Sequence, residues 1–565
     1  MTHTSTRTDE KLELMRHGAR GEEPMKAFST VVALLFAVVA APTAVSAAPE
    51  IQWKDCPRVY GPGFECGALD VPLDHDDPDG QTIAIELVRL PATSSESRLG
   101  TIFLNPGGPG GSGVVFLLGV GSALFSDEVR ARFDLIGFDP RGIHRSEPLK
   151  CFAIPGEAGS VSTLSWPFPL TREEELARQK ADNELARACE QNGGEILHHM
   201  STIDVARDLD LLRQAVGDEY LNYAGYSYGS FLGNVYANLY PDRVRAIVID
   251  GIVDPIAWTT GHGREAAWLP LFTRLRSDAG AQATLDEFFR LCDEAEPGAC
   301  AFAPDSAARF DDLAQQLLEE PLKIVLPSGG EIVLLTYPEL IAVALDSMYD
   351  SSSWQDFAIF LALVEAGASA EELGSALQAV RAHIRAPDET LQTPYPNQVE
   401  GYPGVACSDS VNPALYRAWP RAAAAADANY GYFGSWWTWA SSICQPWEGP
   451  VAHAYLGPFD RQTANAVLVV GTRFDPATRY ESAVFVADLL PNSSLLTLEG
   501  WGHTSLFLSA CVNEAVSQYF LTGVPPPDGA VCNQDFGPFD SADTALGARK
   551  LRSTALSEVR MPPRR

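Results

Sequence analysis

The sequence predicts an α/β protein with a mostly parallel central sheet, interrupted by one large, mainly helical insertion. Three observations predict it. Runs such as Arg245 to Asp250 and Ala466 to Val470 are apolar almost without alternation, the pattern of strands buried on both faces. Helical segments separate these runs, which is how parallel strands are connected. Between about residues 255 and 460 the pattern turns to helix after helix, and strands resume only at Ala466.

Each element follows in chain order. Lys26 precedes an apolar run from Val31 to Val39, and Val45-Ser46-Ala47 supplies small residues for cleavage. Residues 1–47 therefore read as a secretory signal, too short and wrongly flanked for a stable membrane span. Met25 makes a more compact start than Met1, and processing is expected near Ala47. No cysteine adjoins that site, so a lipid anchor is not indicated, and the expected location is extracellular or periplasmic. Thr82 to Leu90 alternates and predicts an early antiparallel strand. Thr101 to Leu104 is a short buried strand entering a glycine-rich loop, and Phe133 to Phe138 is another, ending at Asp139-Pro140-Arg141-Gly142.

A small insertion spans about 148–200, largely the charged helix Thr171 to Gln191 between Cys151 and Cys189. Ile203 to Val216 has helical spacing, with Val205, Leu209, Leu212 and Val216 near one face and Ser201 or Thr202 as its cap. Leu221 to Ala224 reads as a strand end and Ser230 to Ala237 as a helix start, and Ser494 to Leu498 is a late strand. The core thus comprises 48–254 and 461–540. Residues 255–460 form a cap over the strand ends, where such sheets bind ligands, and 541–565 is a flexible basic tail.

Composition narrows the function classes. The chain has 565 residues, 46% hydrophobic and 20% charged, ordinary for a globular protein. Its net charge is −32, and the signal carries five residues of each sign, so the mature charge is unchanged. Nucleic acid is excluded as a partner, because phosphate binding needs a basic face. The acidic balance serves solubility or attracts cationic ligands such as peptide amino termini. All ten cysteines follow the signal, and export makes disulfides the default. Pairing of neighbours is the working expectation (Cys56–Cys66, Cys151–Cys189, Cys292–Cys300, Cys407–Cys444, Cys511–Cys532), although sequence does not fix it. With no C-x-x-C and no histidine pairing nearby, neither a metal nor another cofactor is expected.

The chemistry centres on Gly225-Tyr226-Ser227-Tyr228-Gly229, a G-x-S-x-G between strand and helix. A serine on so sharp a turn has its hydroxyl pushed out over the sheet, and the glycines are needed because a Cβ would meet the neighbouring strand or helix. A serine nucleophile needs a base, and the base an orienting acid. On such sheets the acid and then the histidine follow the serine. Of His262, His383, His453 and His503, only His503 follows the late strands, in Gly500-Trp501-Gly502-His503-Thr504. Asp475, in Phe474-Asp475-Pro476 directly after the strand Ala466 to Val470, is the favoured acid, and Asp250 is the runner-up. Asn105-Pro106-Gly107-Gly108-Pro109-Gly110-Gly111-Ser112-Gly113 suits an oxyanion loop, with backbone N–H donors at Tyr228 and Gly108. A phosphate loop would end in G-K-[ST], which is absent.

In that order, Asn105 to Gly113, Phe138 to Gly142, Ala206 to Arg213, Gly225 to Gly229, Asp475-Pro476 and Gly502-His503 resemble secreted tripeptidyl aminopeptidases of actinobacterial type. These are relatives of prolyl aminopeptidases within the α/β-hydrolase fold, with a TAP-like C-terminal region. Cys407-Ser408-Asp409 and Cys444-Gln445-Pro446-Trp447 resemble motifs of their cap. The resemblance covers about residues 50–535. Pro106 stands where prolyl aminopeptidases have histidine. The resemblance implies a Ser227–Asp475–His503 triad releasing short peptides, tripeptides above all, from free amino termini.

A cap over the nucleophile would exclude folded proteins and admit chain ends. Asp409, Glu400 and Glu265 are candidates to bind the substrate amine, and Trp436, Trp437, Trp439 and Trp447 either line an apolar wall or pack the cap. The leading expectation is a secreted serine exopeptidase acting on peptides. A secreted carboxylesterase or lipase acting on small esters with the same triad is the alternative, and a catalytically silent binding protein the third reading. Oligomeric state is left open.

Overall fold

The computed structural model describes residues 50–540 apart from 155, 163–166, 328–329, 384–392, 394 and 448–452, together with Arg552. The expected signal, 1–47, lies outside the described residues. Twelve strands are present among them: β1 (Lys54–Asp55), β2 (Glu65–Pro72), β3 (Thr82–Leu90), β4 (Gly100–Asn105), β5 (Phe133–Phe138), β6 (Leu221–Tyr226), β7 (Val244–Asp250), β8 (Leu322–Val325), β9 (Ile332–Leu335), β10 (Val467–Phe474), β11 (Ser493–Trp501) and β12 (Ala530–Asn533). Ten form one sheet in the order β1-β2-β3-β5-β4-β6-β7-β10-β11-β12. Neighbours from β5 to β12 pair in parallel, and β1, β2 and β3 form an antiparallel edge.

Unbroken apolar runs form these strands because both sheet faces are covered. Along β7, Ile247 and Ile249 join one core with Phe103, Tyr223, Val467 and Val469, while Ala246 and Val248 join the other with Ile102, Leu104, Leu468 and Val470. The edge strands β1, β2 and β12 carry weaker patterns, and pairing rather than apolar periodicity defines them.

The insertion carries ten α-helices among the described residues, from Pro255–Thr259 to Gly434–Ala440. It also holds the antiparallel pair β8–β9, which the helical pattern did not announce. Its core runs continuously into one face of the sheet, so the described residues of insertion and sheet share one core. Trp437 and Trp439 are wholly buried in that core, with Trp437 on Phe272 at 5.2 Å, whereas Trp436 is only partly covered.

Local capping sets helix ends. Thr171 and Glu174 form a reciprocal capping box, so the charged helix runs Arg172–Asn192. The next helix starts at Thr202, and the Ser201 hydroxyl donates to Asp204 instead of capping it. All five disulfides join sequence neighbours as expected, and Cys407–Cys444 pins the helix Gln398–Asp409 to the turn Ser442–Cys444. No described helix is long and apolar enough to cross a membrane.

Candidate active site

Five adjacent parallel strands, β4, β6, β7, β10 and β11, end at one edge of the sheet and deliver every part of the candidate site. β4 runs into the glycine loop, β6 into Ser227, β7 into Asp250, β10 into Asp475 and β11 into His503. A parallel sheet brings these distant segments together because all its strands point the same way.

Ser227 has φ 56° and ψ −124°, a sparsely populated conformation, and the helix Tyr228–Leu239 starts immediately after it. Its N–H donates to the Asp250 carbonyl at 2.8 Å, which locks the elbow to β7. A Cβ on Gly225 would lie 2.2 Å from the Gly229 carbonyl, and one on Gly229 2.6 Å from the Asn105 carbonyl. Both glycines are therefore required by contact. The glycine loop closes on the same turn: a Cβ on Gly107 would sit 2.3 Å from the Tyr226 carbonyl and 2.9 Å from the Tyr228 nitrogen. The Tyr228 N–H begins a helix and so has no acceptor within it. Gly108, the expected second donor, follows at φ 105°. Asn105 Oδ1 accepts from the Gly107 N–H at 2.9 Å, and Asp139 Oδ1 accepts from the Ser112 hydroxyl at 2.5 Å, which anchors the loop at both ends.

His503 is fully buried, and its Nδ1 lies 2.9 Å from each carboxylate oxygen of Asp475. That carboxylate also accepts from the N–H groups of Ala477, Thr478 and Thr504 and from the Thr478 hydroxyl. Burial alone would raise its pKa, but the His503 charge and these hydrogen bonds outweigh burial and hold it below the usual carboxylate value. An ionised acceptor at Nδ1 fixes the proton of a neutral imidazole on that nitrogen and so directs Nε2, which has no hydrogen-bond partner among the described residues, to act as the base. Ser227 makes no hydrogen bond to His503 in this state, a gap common in unliganded sites. Asp250, the runner-up acid, instead accepts from the N–H and hydroxyl of Ser505, and burial pushes its pKa up to about 6. It steadies the histidine loop and does not touch the imidazole.

The geometry is that of acyl transfer on an α/β sheet, and comparison with known proteins agrees. A family profile described as alpha/beta hydrolase fold matches residues 100–285, and one described as TAP-like protein matches residues 429–532. The chain is 32% identical to serine protease Hip1 of Mycobacterium tuberculosis, covering 85% of this chain and 91% of that protein. The chain belongs to the TAP-like α/β-hydrolases. It is also 30% identical to a tripeptidyl aminopeptidase of Streptomyces lividans, over 84% of each chain. A third relative, carboxylesterase B of Mycobacterium tuberculosis, is 31% identical over 87% of this chain and 91% of its own. The protein is thus a serine hydrolase of this family.

In this TAP-like hydrolase the three candidate amine-binding acids lie in different settings. Asp409 is buried and accepts from the N–H and hydroxyl of Thr202 and from the Trp258 indole, and the Thr202 hydroxyl also meets that of Tyr228. Burial pushes its pKa up to about 7. Its oxygens are already engaged in joining cap to core, which argues against an amine site there. Glu265 is half-exposed and accepts from the His262 N–H. Glu400 is buried and accepts from the Tyr395 hydroxyl at 2.8 Å, and burial pushes its pKa up to about 7. Its chain neighbours Gly401 and Tyr402 rest on the glycine loop, where a Cβ on Gly110 would lie 3.3 Å from the Tyr402 nitrogen.

Sequence reasoning missed Thr478 and Ser505. Thr478 was within reach of it, since a threonine three residues after an aspartate fits an Asx turn. Ser505 meets Asp250 only through the fold. The Arg141 of the Asp-Pro-Arg-Gly segment proves structural: its buried guanidinium grips both Asp208 oxygens, at 2.7 and 2.6 Å.

Proposed function

We propose that this protein is a secreted serine exopeptidase that releases short peptides, tripeptides above all, from free amino termini. The observation that carries it is the cover over the nucleophile. Ser227 is only 7% exposed, beneath an insertion whose helix Gln398–Asp409 rests on the glycine loop through Gly401 and Tyr402, the residues that follow the buried acid Glu400 in the chain. A nucleophile so covered favours a slender chain end over a folded protein, and a carboxylate near it would favour a charged amine. The relatives named serine protease and tripeptidyl aminopeptidase, the five disulfides and the secretory signal expected from the sequence support the same reading.

In this mechanism Ser227 Oγ attacks the scissile carbonyl while His503 Nε2 takes its proton, and Asp475 holds the tautomer that leaves Nε2 bare. The N–H groups of Tyr228 and Gly108 hold the oxyanion. His503 then returns the proton to the leaving amine, and water repeats the sequence to free the acyl-enzyme. Glu400 is the favoured amine partner, because among the described side chains only the Tyr395 hydroxyl donates to it, whereas Thr202 and Trp258 occupy the Asp409 oxygens.

Mass spectrometry of products from one long unblocked peptide tests the proposal. Serial loss of three-residue pieces is expected from the free peptide and none from its acetylated form. Equal cleavage of both would defeat the exopeptidase reading. The likeness to carboxylesterase B favours a second reading, an esterase with the same triad. Turnover of short acyl esters but of no peptide amide would select it.

A further inference from the structure

The loop that carries His503 is held from behind by a residue from the far end of the chain. Beyond residue 540 the structure describes Arg552 alone, and this arginine is 1% exposed. The expectation of a wholly free tail is corrected at this position, because a guanidinium so buried must be bonded to be tolerated. Arg552 donates to the carbonyls of Leu506 at 2.6 Å and His503 at 3.3 Å, both in the histidine loop. It also donates to the Tyr349 carbonyl at 3.0 Å and to Asp350 Oδ1 at 3.2 Å, where the cap helix Tyr337–Tyr349 ends.

That cap segment meets the loop directly as well. The His503 N–H donates to the Tyr349 carbonyl at 3.0 Å, Gly502 bridges Asp350, and the Tyr349 ring packs edge-on to the imidazole at 5.0 Å. A Cβ on Gly502 would lie 2.5 Å from Arg552 Nη2, so this glycine makes room for the guanidinium. The planar fork of an arginine satisfies several acceptors at once, which a lysine in the same place does not. The charge is also placed: the buried carboxylates of Asp350, Asp250 and Asp475 all act on it.

We propose that Arg552 is a positioning residue of the active site: it ties the His503 loop to the cap and fixes the imidazole over Ser227. The inference rests on the serine-hydrolase reading above, and the experiment separates the two.

Full-length parent, R552A and R552K are titrated with a serine-directed phosphonate and assayed on an unblocked tripeptide anilide, with rates expressed per labelled serine. Absence of labelling at Ser227 in the parent would remove the nucleophile reading on its own account. With labelling present, R552A is expected to lose about 10- to 100-fold in kcat, the cost of a misplacement near 1 Å, with KM changed by less than about threefold. R552K is expected to recover part of the loss. Guanidinium at roughly 20 mM is expected to raise kcat of R552A while leaving the parent unchanged, because it refills the four-acceptor site. A parental kcat in R552A overturns the proposal, as does a loss that neither R552K nor guanidinium reverses. If R552A yields no folded protein, kcat of R552K decides: a parental value overturns the proposal, and a fall at constant KM sustains it.

Discussion

Replacing Asp475 by Asn isolates the acid of the proposed triad. Each carboxylate oxygen faces two donors besides the imidazole: Oδ1 the N–H groups of Ala477 and Thr478, Oδ2 the Thr504 N–H and the Thr478 hydroxyl. An amide offers one acceptor, so in either orientation its NH₂ group opposes N–H or O–H donors. A buried donor left unpaired costs about 1–3 kcal/mol, which is the expected loss of stability. With the NH₂ toward Nδ1, the imidazole must accept there and move its proton to Nε2, where it can no longer take one from Ser227. A wrong-tautomer histidine loses about 10⁴ in kcat, or about 5.4 kcal/mol of barrier. The assay is kcat on an unblocked tripeptide anilide, per serine titrated by phosphonate, with melting temperature recorded alongside. D250N is the control, since its contacts go to Ser505 and a displaced loop costs at most about 10²-fold. A folded D475N within about tenfold of the parent rate would refute the reasoning and move the role elsewhere.

Three further predictions follow from the contacts. E400Q removes a carboxylate but keeps its shape, so KM for unblocked tripeptides is expected to rise about 10- to 150-fold, the worth of a charged hydrogen bond, with ester turnover unchanged; an unaltered KM for peptides assigns amine binding to another residue. G107A places a methyl 2.3 Å from the Tyr226 carbonyl at a left-handed backbone position, and displacement of the oxyanion loop should lower kcat by about 10²–10³, measured per folded molecule. Asp409 has a folded pKa of about 7 against an unfolded value near 3.9. Between those values the folded chain holds a proton that the unfolded chain has lost, so its contribution to stability falls as pH rises from about 4 to 7 and then levels, at about 1.4 kcal/mol per pH unit. In D409N that slope is absent, and its melting temperature should gain on the parent across this range; parallel curves would show that Asp409 does not titrate there.

What the sequence determined by itself is the chemistry that local geometry encodes. A nucleophile elbow needs glycines beside the serine because strand β4 and the first helical turn touch its backbone, and that requirement is written in five consecutive residues. The glycine loop before the helix Gly113–Val120 and the capping box at Thr171 are legible for the same reason: contact and residue lie within a few positions. Chain order selected His503, since parallel strands deliver their ends to one edge in a set topology. Tertiary structure alone decided the roles of groups that no local pattern brings together. Asp475 and Asp250 both end buried strands, and only packing turns one to the imidazole and the other to Ser505. Asp409 and Glu400 lie on one cap helix, yet packing gives the first to Thr202 and Trp258 and the second to the Tyr395 hydroxyl. Arg552, one arginine in a basic stretch, carries no local pattern, because three of its acceptors are backbone carbonyls that any sequence supplies and the fourth, Asp350, is distant in the chain.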